Sequence, residues 1–492
     1  MDTFVDYYSV LGASPTASED EIRQAFRLAA RRFHPDVNKS PGSPLIFKDI
    51  NSAYEVLSDR SRRDDYDVRY RQTLLEGPNL AVQTFFSRSH LKPISEPQLV
   101  YVLVKIQPAA NRKIAVDAPL NMCLVVDRSK SMAGVRMQHV KTAAYRIIDG
   151  CKPTDLFSMV VFSDDAEVVI PAQHPEDHRG LKAMVSTIRP DGATAMLPGL
   201  QQGMAQIERN RASQYVNHMI LITDGRTYGD EAECLALANK ARENGIGISG
   251  MGIGEDWNDR FLDALAFQTG GSSAYVTSPE VVTKFLDERV RSLASACAER
   301  TRLIAAPAAE VELREMTRIS PDAIALPVDQ QPVSLGVLDG LVPSTVMLQF
   351  HVNTGGAEPG EFFVGRIDLS ADLLGASSHA ERIVKDITVS VSPDHFEEDP
   401  PTELLDALSK LMLYRLQDKA REAIEGGDIP QATRSLEYLA TRLFEAGEED
   451  LGNAALHEAR RIAHTQVLSE EGAKKLKYGT RALMPQSGDK HG

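Results

Sequence analysis

Ile22, Phe26, Ala29 and Phe33 recur at helical spacing, and Arg23, Arg27 and Arg31 recur every four residues on another face. Ser18 followed by Glu21 predicts a capping box at the start of this helix. His34-Pro35-Asp36 stops it, because proline cannot continue a helix. Phe47, Ile50, Tyr54 and Leu57 form a second stripe, which predicts an antiparallel hairpin with His-Pro-Asp at its tip. Tyr7, Tyr8, Val10 and Leu11 supply a short packing helix, so residues 5–72 read as one helical module. Residues 73–97 keep no sustained period and read as a linker. Residues 99–106 are strongly β-forming, and the segment 98–117 is expected to join a β-rich region downstream.

Between residues 118 and 297 apolar runs at 122–126, 156–162, 167–170, 218–223, 247–252 and 274–276 alternate with helical runs. This is the repeat of a doubly wound α/β sheet with helices on both faces. Residues 298–393 carry short alternating segments punctuated by turn signals such as Asp339-Gly340, which predicts a β-sandwich completed by the strand at 99–106. Leu404, Leu405, Leu408, Leu411 and Met412 then open a helical C-terminal domain over 400–482. The expected fold is therefore multidomain: all-α, α/β, β-sandwich and α-helical in turn.

With 492 residues, 42% of them hydrophobic, the chain has material for several cores. A formal net charge of -15 argues against a general nucleic-acid binder. The four cysteines, 123, 151, 234 and 297, lack Cys-x-x-Cys spacing and read as buried thiols, Cys123 in a strand and Cys297 in a helical run. No apolar run reaches the ~18 residues a membrane span requires. The short acidic start lacks a secretory apolar core, so the cytoplasm is the expected location.

The His-Pro-Asp tip beside a basic helix face resembles a J-domain, the co-chaperone module of DnaJ-type proteins. The matching residues are Asp6-Tyr7-Tyr8-Ser9-Val10-Leu11-Gly12, Ala25-Phe26-Arg27-Leu28-Ala29, Phe33-His34-Pro35-Asp36, Ala53-Tyr54-Glu55-Val56-Leu57-Ser58-Asp59 and Tyr66-Asp67. The resemblance implies that His34, Pro35 and Asp36 stimulate ATP hydrolysis by a DnaK-type chaperone, and that Arg23, Arg27 and Arg31 dock it. No long Gly/Phe-rich region or cysteine-rich zinc repeat follows, so the rest of the chain is expected to choose the client or the location.

Two apolar runs end in oxygen-bearing loops, Asp127-Arg-Ser129-Lys-Ser131 and Thr223-Asp224-Gly225. Open α/β folds place their ligands at such strand ends. Thr194 offers a third hydroxyl. Neutral hydroxyls with carboxylates held behind waters leave a hard cation with appetite for one more anionic oxygen, supplied by a partner protein. The set resembles the metal-ion-dependent adhesion site of von Willebrand factor A domains, whose five positions would be Asp127, Ser129, Ser131, Thr194 and Asp224. Mg²⁺ suits it, with Mn²⁺ or Ca²⁺ as alternatives. Arg128 and Lys130 stand where that family commonly has small residues. Lys130 either points outward toward an acidic partner or sits near the ion and weakens its binding.

Gly250-Met-Gly-Ile-Gly254 lacks nucleotide-loop spacing, and no Walker lysine sequence is present. A serine held as a metal ligand is a poor nucleophile without a base, and neither loop carries a histidine. Leu476-Lys-Tyr-Gly-Thr-Arg481 is similar to the tail of bacterial von Willebrand A proteins of the chloride-channel-like class. The expected function is a non-enzymatic adaptor, gripping one partner through the metal and recruiting a DnaK-type chaperone. The rivals are an assembly or conflict-system scaffold working with a MoxR-type AAA+ ATPase, and a metal-dependent hydrolase.

Overall fold

The structure, a computed structural model, describes residues 4–483 apart from 111–117, 213, 228, 277, 375–379 and 395–397. All counts below are of the described residues. The N-terminal module contains α1 (Tyr7–Leu11), α2 (Glu19–Phe33), α3 (Ser43–Leu57) and α4 (Arg60–Glu76). Ser18 and Glu21 form the reciprocal capping box of α2. Ile22, Ala29 and Phe33 pack against Ile46, Ile50, Ala53 and Leu57 across the α2–α3 hairpin. Helix α4 has no apolar stripe; Tyr66 and Tyr70 bring it into the same core. The Tyr66 hydroxyl donates to Val5 O at 3.0 Å and accepts the Tyr7 N–H at 2.9 Å.

The expected linker over 73–97 is corrected by the structure. Helix α4 runs into it, and β1 (Leu80–Phe86) and β2 (His90–Leu91) follow before β3 (Gln98–Pro108). Both new strands lie at sheet edges, and β1 is mostly half-buried, so its sequence shows little alternation. The end of the segment predicted over 98–117, residues 111–117, lies outside the described residues.

The α/β domain runs β4 (Leu120–Asp127), α5 (Val135–Gly150), β5 (Leu156–Phe162), β6 (Ala166–Gln173), α6 (His178–Thr187), α7 (Met196–Glu208), β7 (Val216–Thr223), α8 (Glu231–Glu243), β8 (Gly247–Ile253), α9 (Asp259–Gln268), β9 (Ser273–Val276) and α10 (Pro279–Ala294). Strand order is β6-β5-β4-β7-β8-β9. All neighbours pair in parallel except β5 and β6, which form an antiparallel hairpin at the edge. Strands β4 and β7 are buried at every residue, which is why they read as unbroken apolar runs. One core holds α5, α6 and α10 on one face of the sheet; a second holds α7, α8 and α9 on the other.

The remaining strands are β10 (Ala296–Pro307), β11 (Val311–Ser320), β12 (Ile324–Leu326), β13 (Val333–Asp339), β14 (Ser344–Val352), β15 (Gly360–Leu373) and β16 (Ala380–Val391). They make two sheets, β1-β3-β14-β11-β12 and β13-β10-β15-β16-β2, around one apolar core. The α/β domain is thus inserted between β3 and β10 of the sandwich. Cys297 lies on β10 rather than in a helix. Cys123, Cys234 and Cys297 are buried free thiols, and Cys151 is half-buried. The chain ends in α11 (Thr402–Glu425), α12 (Ile429–Glu445), α13 (Glu449–Thr465) and α14 (Glu470–Ala482). Leu404, Ala407, Leu411 and Tyr414 of α11 cover Leu103, Ile319 and Met347 of the sandwich. Among the described residues no helix is long and apolar enough to cross a membrane.

The N-terminal module is packed onto the sandwich. Phe33 meets Phe363 edge-on at 5.8 Å, and the Arg32 guanidinium lies 4.3 Å over the Phe363 ring. Asn38 donates to Pro307 O at 2.8 Å. Arg366 forks onto Asp386 and donates to Val10 O at 2.6 Å, while Arg382 bridges Asp49 of the module to Asp368 of the sandwich. Arg366 is 3% exposed and Asp386 32%, so the pair is only partly screened. Replacing Arg366→Ala is expected to cost about 3 kcal/mol, the low end of the range for breaking a buried pair. Hydrogen exchange should show faster opening of α1 and α2 with β4 and β7 unchanged; unchanged exchange in α1 and α2 would show that the module is held elsewhere.

Candidate functional site

Strands β4 and β7 are parallel neighbours in register from Leu120 with Val216 to Val126 with Ile222, so Asp127 and Asp224 emerge side by side at the C-terminal edge of the sheet. Asp127 is fully buried. Its Oδ1 accepts the Ser129 N–H at 2.8 Å and its Oδ2 accepts the Thr223 hydroxyl at 2.7 Å. Burial pushes this carboxyl up, and the hydrogen bonds from Thr223 and Ser129 oppose that shift. The Ser129 and Ser131 hydroxyl oxygens lie 3.0 Å apart, and Ser131 donates to Asp224 Oδ1 at 2.7 Å.

Thr194 reaches the same edge from the loop before α7. Asp191 N–H donates to Arg128 O at 2.7 Å and Ala195 N–H to Ser163 O at 2.7 Å, which ties that loop to the Asp127 loop and the β5 end. A Cβ placed on Gly225 would lie 3.1 Å from Thr194 Oγ1, so glycine lets the two loops close. Asp127, Ser129, Ser131, Thr194 and Asp224 therefore share one sheet edge. Thr223, visible in the sequence only as the first residue of Thr-Asp-Gly, has the further role of orienting Asp127.

These donors suit a hard cation. The hydroxyls of Ser129 and Ser131 and the Asp224 carboxylate stand at hydrogen-bond spacings of 3.0 and 2.7 Å, close enough for one small cation with ligands at about 2.0–2.1 Å to reach more than one of them. Among the described residues no group of three or more His, Cys, Asp and Glu side chains comes together, so the set depends on its hydroxyls. Arg128 turns away toward Glu167 on β6, at 3.7 Å. Lys130 is exposed. A third cation was not foreseen: Arg136, in the first turn of α5, contacts Asp224 Oδ2 and donates to Ser131 O at 3.3 Å.

At the tip of the α2–α3 hairpin, His34 caps α2 and accepts the Asp36 N–H on Nδ1 at 3.2 Å. Its ring stands edge-on to Phe47 at 5.2 Å. The Asp36 side chain is 86% exposed, and Arg23, Arg27 and Arg31 all face solvent. The sandwich takes Arg32, Phe33 and Asn38 and leaves these groups accessible.

Residues 6–67 match the DnaJ domain family, residues 121–288 the von Willebrand factor type A domain family, and residues 402–486 the Sll0103-like C-terminal α-helical domain family. The chain carries a DnaJ domain and a von Willebrand factor type A domain. The uncharacterized protein sll0103 of Synechocystis sp. is 24% identical over 407 residues, which is 80% of this chain and 94% of that protein. The chaperone protein DnaJ of Roseiflexus sp. is 60% identical over 62 residues, 13% of this chain and 17% of that protein, so the likeness to that chaperone stops at the DnaJ domain. The solved von Willebrand factor type A protein from Catenulispora acidiphila superposes with a TM-score of 0.64 at 18% identity, covering 82% of this chain and 97% of that one, and shares the fold. None of these matches supports the expected likeness to the chloride-channel-like class.

The tail segment Leu476-Lys-Tyr-Gly-Thr-Arg481 locks the Sll0103-like domain to α9 of the von Willebrand domain. Asp263 accepts two bonds from Arg481 at 2.9 Å and one from the Tyr478 hydroxyl at 2.8 Å, with Lys477 at 2.6 Å. Asp259 takes Lys477 and Arg421. Lys474 donates to Trp257 O at 2.8 Å and lies over the indole ring. Burial pushes the Asp263 carboxyl up, but Arg481 and Lys477 outweigh it and hold it well below the usual carboxylate range; Asp259 is lowered in the same way. Depressed carboxylates contribute stability that is complete above their unfolded pKa, about 3.9, and is lost as pH falls toward the folded value. Exchange of α14 amides, corrected for intrinsic rate, is expected to be flat from pH 8 to pH 6 and to accelerate below about pH 4. Asp263→Ala strands the buried Arg481 and leaves Lys477 only Asp259, and should release α14 at neutral pH, at a cost of about 3–5 kcal/mol. Retained protection of α14 in that variant would refute the anchoring role.

Proposed function

We propose that this chain is a non-enzymatic adaptor and co-chaperone. Its von Willebrand site grips a partner protein through a divalent cation, and its DnaJ domain brings a DnaK-type chaperone to that partner. The observation that carries this reading is the presence, on one packed body, of the solvent-facing His34-Pro35-Asp36 tip with its arginine face and of an oxygen cluster at the sheet edge, where Ser131 is exposed above the buried Asp127, Ser129, Thr194 and Asp224. Mg²⁺, or Mn²⁺ or Ca²⁺ in its place, would be held by Ser129, Ser131 and Thr194 with the carboxylates of Asp127 and Asp224. Such a cation supplies an electrophilic point that takes an acidic side chain of the partner as a further ligand. Arg23, Arg27 and Arg31 present positive charge to the chaperone, an attraction that salt screens.

Bond-making chemistry is not part of the proposal. The Ser129 and Ser131 hydroxyls lie against each other, and the group that accepts from Ser131 is Asp224, a carboxylate already paired with Arg136. His218 sits fully buried on β7 with its Nε2 2.9 Å from Ser249 Oγ, roughly 20 Å along the strand from Asp224.

Single-turnover ATPase assays with the host's DnaK-type chaperone should show several-fold acceleration by the full chain, lost in Asp36→Asn and reduced by high salt. Rates unchanged by the wild-type chain would reject the co-chaperone half. Calorimetry should show Mn²⁺ binding that disappears when Asp127→Ala and Asp224→Ala are combined. Equal binding by that double variant would reject the metal half.

A further inference from the structure

The second oxygen of Asp224 poses a question that the five-residue oxygen set leaves open. Asp224 is fully buried and both its oxygens are engaged, Oδ1 by the Ser131 hydroxyl at 2.7 Å and Oδ2 by the guanidinium of Arg136. The arginine is 36% exposed while the carboxylate is 0% exposed, so a buried negative charge is neutralised from the solvent side. We propose that Arg136 is an internal counter-ion that competes with the divalent cation for Asp224 and so weakens metal binding at this site. The proposal rests on the reading of the oxygen cluster as a cation site and assigns a residue that sets its affinity.

Two independent features support it. Arg136 stands in the first turn of α5, where the helix dipole opposes a cation, so the helix itself does not account for an arginine there. Gly254, at the end of β8, makes room for the guanidinium. It has φ +76°, and a Cβ built on it would lie 2.7 Å from Arg136 Nη2. A neighbouring strand end thus gives the arginine its space beside Asp224. The two cations singled out within the metal loop do not take this place: Arg128 is directed to Glu167 and Lys130 is exposed.

The physical consequence follows from like-charge repulsion. A divalent cation beside Asp224 lies within a few ångströms of the guanidinium, in a partly desolvated setting where charges are poorly screened. Either the cation binds against that repulsion, or Arg136 leaves Asp224 and swings into solvent. Both routes raise the dissociation constant. Without metal, the same arginine keeps the buried carboxylate paired, which stabilises the folded domain.

The test is Mn²⁺ titration calorimetry at fixed ionic strength on the full chain, paired with melting temperatures with and without Mg²⁺. Arg136→Gln keeps a neutral donor for Asp224 and serves if Arg136→Ala does not fold; Arg136→Lys keeps the charge. Arg136→Gln is expected to bind Mn²⁺ at least about tenfold more tightly than wild type, because one like charge is removed. Arg136→Lys should stay near wild type. Metal-free Arg136→Gln should melt below wild type, and saturating Mg²⁺ should raise its melting temperature by more than it raises that of wild type. Equal Mn²⁺ affinity in Arg136→Gln and wild type, or weaker affinity in Arg136→Gln, would overturn the competition while leaving the metal reading in place. No Mn²⁺ binding by wild type or any variant would overturn both.

Discussion

Everything else in the chain hangs on the pairing of β3 with β14. The register runs from Gln98 opposite Val352 to Ile106 opposite Ser344, and it closes the sandwich across the whole inserted von Willebrand domain. Inward residues of β3, among them Val100, Val102, Val104 and Ile106, join the sandwich core. The pairing is long-range and entropically expensive to form. Once made, it fixes the β3 end of the insertion, while the β10 end is held in the facing sheet between β13 and β15. The DnaJ domain then packs on β10, β15 and β16, and α11 covers the outer side of β3. The sandwich, which carries no recognised chemistry, sets the relation between the two ends that do.

The contacts that join domains share a chemistry. Arg366, held on Asp386 of its own sandwich and donating to Val10 O of the module, Arg382 between Asp49 and Asp368, and Arg481 on Asp263 each bury a planar guanidinium against carboxylates. Such pairs add little net stability, because desolvation offsets much of the attraction. They do fix position, since a forked donor has one good orientation on its acceptor. Apolar contacts beside them, such as Phe33 on Phe363 and Tyr478 with Trp257, add the burial. The joints are therefore oriented by arginine and tightened by aromatic rings.

The parts legible in the sequence are those whose burial is one-sided or complete. Helix α2 shows its stripe because one face is packed and the other solvated. Strands β4 and β7 show unbroken apolar runs because both faces are covered. The unreadable parts sit at edges. Strands β1 and β2 are half-buried and looked like linker, and β6 turns back antiparallel through a short acidic turn, which apolar content cannot reveal. Helix α4 depends on Tyr66 and Tyr70 in an otherwise charged segment. At the site, the five oxygen residues were visible because they lie in two short motifs and one loop. The roles of Thr223 and Arg136 were not, because each acts through a neighbour brought close only by the fold. Arg128 and Lys130 stand out because they are adjacent in sequence, whereas the charge that meets Asp224 comes from the next helix.

Rigidity changes what an adaptor of this kind must do. A DnaJ domain on a flexible tether searches a volume, and its effective concentration at a client depends on linker length. Here Asn38, Arg366 and Arg382 hold the domain against the sandwich, so the His34-Pro35-Asp36 tip keeps one orientation relative to the sheet edge with Asp127 and Asp224. In the proposed function the span between the two sites is then set by the fold, and reach must come from the partner. A partner gripped at the metal must extend a segment as far as the chaperone held at the tip. Selection would thus act twice, first on an acidic side chain that suits the cation and then on a chain long and loose enough to span the sandwich.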